Sequence, residues 1–129
     1  MKFPYTDARM MQLQSVNVGV NDSTTYTTDQ VQFGVIEYWI VAGKRGDCED
    51  YALAKMQKLR ALGWPKECLN IGICYLGDEG HAVLIAETDK ADFILDNNND
   101  KVVTWDKTPY RWLEKSVDGD FRKWVAIEG

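Results

Sequence analysis

The spacing of apolar residues changes once along this chain, near Gly63, and that change limits the folds open to it. Before it, Tyr51, Ala52, Met56, Leu59 and Leu62 recur at three- and four-residue intervals, the period of one helix face. After it come short apolar runs separated by turn formers. Leu69–Leu76 reads as a strand, residues 77–80 as a turn and residues 81–88 as a second strand, linked tightly enough for an antiparallel hairpin. Residues 93–96 and 102–105 read as two more strands around a turn at 97–100. Residues 109–115 predict a short helix and residues 124–127 a last strand. Helices first and an antiparallel meander after them make an α+β fold, with the helices packed on the sheet.

The clearest helix has both ends marked. Asp47 suits the N-cap, and Gly63 followed by Pro65 stops it. Upstream, residues 7–15 are helix-permissive. Residues 16–21 alternate, but Asn17, Gly19 and Asn21 make a poor strand interior. Residues 21–28 are rich in turn formers, and Asp29 can cap a helix running to about Trp39. No repeat or linker divides the 129 residues, so residues 1–129 read as one domain.

Charge excludes one class of partner. The net charge of −5 argues against a large nucleic-acid footprint, which needs a basic surface. The local basic excess of Lys44, Arg45, Lys55, Lys58 and Arg60 reads as the solvated face of one helix. No apolar run approaches the roughly 18 residues of a transmembrane span. The N-terminal residues lack an apolar export core, so the chain reads as cytoplasmic as it stands, or as periplasmic if a leader has been removed.

The residues able to do chemistry are few. His81 is the only histidine, and it follows a glycine turn at the start of an apolar strand, where its ring is expected at a sheet edge. Of the three cysteines, Cys68 and Cys74 lie among strand apolars and read as buried, too far apart along a strand to be bridged. Cys48 instead sits in the first turn of the strongest helix, where unpaired N–H groups and the helix dipole favour a thiolate. Asp96 ends an apolar strand and serves either as a functional carboxylate or as the start of a turn. Together Cys48, His81 and Asp96 supply the nucleophile, base and orienter of acyl transfer. Asp47, Glu49 and Asp50 oppose ionisation of the thiol beside them. They read as first-turn acids, or as oxygen ligands of a bound Ca²⁺ that would cancel their field.

The run Gly46-Asp47-Cys48-Glu49-Asp50-Tyr51-Ala52, with Lys55 and Leu59 after it, then His81-Ala82-Val83-Leu84 and Leu95-Asp96-Asn97, resembles the bacterial transglutaminase-like cysteine proteinases. Val16-Asn17, Asn21, Tyr26 and Asp29 add to the likeness, which spans about residues 14–113. The resemblance implies a papain-like fold with the nucleophile at a helix N-terminus. It implies Cys48 as nucleophile, His81 as general base, Asp96 as its orienter, and calcium held by Asp47, Glu49 and Asp50. The best-known members of that family, the LapG-like proteases, are periplasmic and clip large surface adhesins. The backbone N–H of Cys48 is one oxyanion donor, with Gln32, Tyr26 and Trp39 as candidates for the second. The expected activity is a calcium-assisted thiol peptidase acting on a protein or peptide through a thioester. Transglutaminase-type acyl transfer to an amine, and a non-catalytic calcium-stabilised binding or structural module of phage type, remain the alternatives.

Overall fold

The computed structural model describes residues 2–22 and 46–127, with the backbone alone for residues 46–50. Among the described residues two helices, α1 (Asp7–Asp22) and α2 (Gly46–Ala61), pack on one six-stranded sheet. Its strands are β1 (Leu69–Leu76), β2 (Glu79–Glu87), β3 (Asp92–Asp96), β4 (Asn99–Thr104), β5 (Arg111–Val117) and β6 (Asp120–Ala126). The order is β4-β3-β2-β1-β5-β6, and every neighbouring pair is antiparallel. The meander runs outward from β1 to β4, after which the chain crosses to the other side of β1 to add β5 and β6. The expected α+β architecture therefore forms.

Tertiary packing extends α1 beyond the permissive stretch. Thr6 Oγ1 accepts the Arg9 N–H at 3.0 Å and caps the helix. Leu13, Val16 and Val20 then share one buried face, so the alternating residues 16–21 become helix. The helix expected at 29–39 lies outside the described residues.

α2 begins at Gly46, which puts Asp47 inside the first turn rather than at the cap. At the other end Gly63 takes a φ of 103°, open to a residue without Cβ, and its N–H reaches Arg60 O at 3.1 Å. Ala52, Leu53, Met56 and Leu59 are buried, but Leu62 is 50% exposed and drops out of the predicted stripe. The reading of a solvated basic face is also corrected. Lys58 and Arg60 are exposed, whereas Lys55 is fully buried. Lys55 and the apolar Leu59 are four residues apart and therefore share a helix face.

The core closes between the helices and one face of the sheet, through Ile71, Ile73, Ala82, Leu84, Ala86, Phe93 and Leu95. The opposite face carries a smaller cluster of Val83, Ile85 and Ile94 with half-buried Trp112. β5 replaces the short helix predicted at 109–115. Its partner β1 offers Gly72, where an added Cβ would lie 2.7 Å from Ile85 and 2.9 Å from Trp112, so the missing side chain admits the indole. Ser116 completes the pairing, accepting the Ile71 N–H at 3.0 Å and donating to Asn70 Oδ1 at 2.9 Å. No helix among the described residues is long and apolar enough to cross a membrane.

Candidate active site

The strand hairpin of β1 and β2 sets Cys74 opposite His81, and the β2–β3 register sets Leu84 opposite Leu95. His81 lies near the start of β2 and Asp96 ends β3, so the antiparallel register sets both at the same end of the sheet. The two side chains meet there: His81 Nε2 lies 2.7 Å from Asp96 Oδ1. The edge position expected for His81 is corrected. β2 is an interior strand, and His81 is 8% exposed and Asp96 5%.

Asp96 both pairs with His81 and starts a turn. Its Oδ1 also accepts the Asn98 N–H at 3.0 Å and so shapes the turn into β4. Its Oδ2 accepts the phenol of Tyr110, and the Tyr110 and His81 ring centroids are 5.2 Å apart. Burial alone would raise the Asp96 carboxyl, but the hydrogen bonds from His81, Tyr110 and Asn98 outweigh it and hold the group below the ordinary carboxylate value. Asp96 is therefore an anion wherever His81 could act as a base. Tyr110 carries no motif in the sequence; a Tyr before a strand is an ordinary packing residue until the strand is placed.

α1 locks the turn that carries Asp96. Asn21 Nδ2 donates to Asp96 O at 2.9 Å and to Asp100 Oδ1 at 3.0 Å. Asn17 Nδ2 donates to Asn99 O at 2.8 Å and Asp100 O at 2.9 Å, and Gln14 Oε1 accepts the Val102 N–H at 3.1 Å. The Asn residues that spoil residues 16–21 as a strand are thus the clasp of the β3–β4 turn, and their polar interruption of an apolar run is the signal that finds them.

Beneath the same turn lies Lys55. Burial pushes its ammonium down to about 8, against the pull of Asp96 and Asp100. On the solvent side a groove of about 450 Å³ abuts Asp96 and Tyr110, with Leu76, Ile94 and Pro109 on its walls and Lys101 and Lys107 along it.

The backbone of Cys48 lies in the first turn of α2, together with Asp47, Glu49 and Asp50, and α2 packs across β2 and β3. Their side chains, and the oxyanion candidates Gln32, Tyr26 and Trp39, lie outside the described residues. Cys68 and Cys74 are both buried, as their apolar setting predicts. The described residues contain no group of three or more His, Cys, Asp or Glu that could hold a metal.

Comparison with known proteins follows the same outline. The family described as bacterial transglutaminase-like cysteine proteinase (BTLCP) matches residues 1–129. The calcium-bound structure of Legionella pneumophila LapG is 27% identical, with a TM-score of 0.61, and the match covers 81% of this chain. An EGTA-treated structure of the same protein matches at 27% identity with a TM-score of 0.60, over 81% of this chain and 61% of that one. The chain spans 63% of the length of the calcium-bound LapG chain. No curated protein sequence matches significantly.

Proposed function

This chain belongs to the bacterial transglutaminase-like cysteine proteinase family, and from that premise we propose that it hydrolyses peptide bonds of a protein substrate through a thioester acyl-enzyme. The observation that carries the proposal is the buried pair made by the only histidine of the chain and Asp96. Cys48 is the nucleophile, His81 the general acid and base, and Asp96 the residue that orients it.

Asp96 accepts from His81 Nε2–H, so proton exchange with the thiol and the substrate falls to Nδ1. The Cys48 thiolate attacks the scissile carbonyl carbon, and the C–N bond breaks as Nδ1 gives its proton to the leaving amine. Nδ1 then takes a proton from water, whose oxygen attacks the thioester; the carboxylic acid leaves and the thiolate is restored. The N–H of Cys48, among the unpaired donors of a helix start, is suited to hold the oxyanion. Throughout, the anionic Asp96 stabilises the imidazolium without taking its proton.

Calcium enters by analogy with LapG. Asp47, Glu49 and Asp50 bring three carboxylates to one helical turn, and this hard, oxygen-only donor set fits Ca²⁺. These residues would hold the ion, which when bound offsets the negative field around the Cys48 thiolate.

A thiol-reactive probe tests the nucleophile directly. Cys48 is expected to be labelled well before the buried Cys68 and Cys74, and Cys48→Ala to lose both labelling and hydrolysis of a denatured protein substrate. Equal labelling of the three thiols with no hydrolysis would overturn the reading in favour of a non-catalytic module. Cross-linking of an added primary amine in place of hydrolysis would redirect it to acyl transfer.

A further inference from the structure

Tyr110 lies outside the triad, yet it bonds directly to the carboxylate that holds His81. It precedes β5, while Asp96 ends β3, and in the sheet the strands β2 and β1 lie between them. Its ring nonetheless lies beside that of His81, with centroids 5.2 Å apart at a 47° tilt, and the phenol ends on Asp96 Oδ2. Trp112 backs the ring edge-on at 6.0 Å. Sheet pairing does not require this arrangement, because Tyr110 lies outside the β1–β5 register.

The two oxygens of Asp96 are divided by it. Oδ1 takes His81 Nε2 and the Asn98 N–H, and Oδ2 takes the phenol. A carboxylate held at both oxygens cannot rotate, so the lone pair facing His81 stays aimed at Nε2–H. A donor on Oδ2 also draws charge away from Oδ1, which weakens the grip of the carboxylate on an imidazolium. Burial and the neighbouring Asp96 push the phenol above its ordinary value, so it remains a protonated donor across the neutral range.

We propose that Tyr110 is a positioning residue for the His81–Asp96 pair, fixing the carboxylate plane and setting how strongly His81 holds its proton. The proposal rests on the catalytic reading of that pair. Other charged and titratable groups face it: Lys55 of α2 and Asp100 of β4 from below, Cys74 of β1 opposite His81, and Lys101 and Lys107 along the groove. None of these changes when the phenol alone is altered, so two substitutions at position 110 isolate its effect.

Because the chain has one histidine, its imidazole resonances report His81 without ambiguity. Tyr110→Phe removes the donor and keeps the ring; its His81 titration midpoint is expected to move to higher pH, on the order of half a pH unit. Replacing Tyr110 with 3-fluorotyrosine makes the phenol a stronger donor and is expected to move the midpoint the other way. In the peptidase assay Tyr110→Phe is expected to lower kcat roughly tenfold at unchanged KM, with the basic limb of the pH profile following the midpoint. A residue that only packs would lower the melting temperature in Tyr110→Phe and leave both midpoints where they are in the parent. Unmoved midpoints in both variants, or shifts of the same sign, would overturn the proposal even with full peptidase activity. Absence of peptidase activity in the parent overturns the catalytic reading instead, while opposed midpoint shifts would still establish the coupling of Tyr110 to His81.

Discussion

The two faces of the sheet are built from the same strands and differ in what covers them. Ala82, Leu84 and Ala86 of β2 pack in the core under the helices, whereas Val83 and Ile85 alternate onto the opposite face. The first face is filled by aliphatic side chains with the aromatics Phe93 and Trp64. The second holds a small apolar cluster, and the His81–Asp96–Tyr110 network gathers where β2 starts and β3 ends. β2 thus contributes different residues to the core and to the candidate chemistry. Substitutions in the core and in the network should separate stability from activity.

The largest effect is expected in the network. His81→Ala should lower turnover by roughly 10⁴–10⁶-fold, with the double variant with Cys48→Ala hardly worse, since residues acting as a unit are not additive. Unfolding by urea should show a loss of about 1–3 kcal/mol, because buried Asp96 loses a hydrogen-bond partner while the fold remains. Retained activity in His81→Ala would remove the mechanism, because no other histidine exists to replace it. Next in size is Leu84→Ala on the first face. Leu84 is fully buried, and its loss should cost about 2–5 kcal/mol of stability, read by the same unfolding series. The kcat of the molecules that remain folded should stay as it was.

Lys55 sharpens the comparison because it is a charge placed on the core side. Its ammonium lies near 8 in the folded chain and near 10.4 when unfolded, so between those values the unfolded chain binds the extra proton. Stability should therefore rise as pH goes from about 8 to about 10.4, by roughly 2–3 kcal/mol, and fall back as pH drops through 8. Lys55→Met should lack this rise and be the more stable chain at pH 7, measured by thermal unfolding across that window. A parent curve that is flat from pH 8 to 10 would show that Lys55 is better solvated than its burial implies. The smallest effect belongs to Asp47→Ala. Without calcium it should cost only about 0.3–1 kcal/mol, the worth of a first-turn acid at a helix dipole. With calcium present the loss should be larger, because the parent alone gains stability from bound ion, by mass action. Calorimetric titration that shows no heat up to millimolar calcium would leave the acids as helix-start residues only.

Much of the molecule was legible in the order of residues. The β1–β2 hairpin and the break at Gly63 follow from local pattern and turn chemistry, and residue type alone singled out His81 and Asp96. Patterns with two local solutions were not legible. Residues 16–21 could alternate or wind, and packing of Leu13, Val16 and Val20 against α2 and the sheet made them helix. Residues 111–117 have apolar spacing that suits either state, and the open edge of β1, with the gap at Gly72, made them strand.

The amino-acid sequence by itself determined the inventory of this protein: an α+β chain with one imidazole, one thiol in a helix's first turn, three carboxylates around it, and a strand-ending Asp96. Period, propensity and residue chemistry act over a few neighbours, so they can be read without coordinates. Only the tertiary structure decided the pairings. His81 with Asp96, Tyr110 with Asp96, Asn17 and Asn21 with the β3–β4 turn, and the burial of Lys55 all join elements distant in sequence. Such contacts depend on which strand lies beside which, and strand order is set by burial of the whole sheet rather than by any local run of residues.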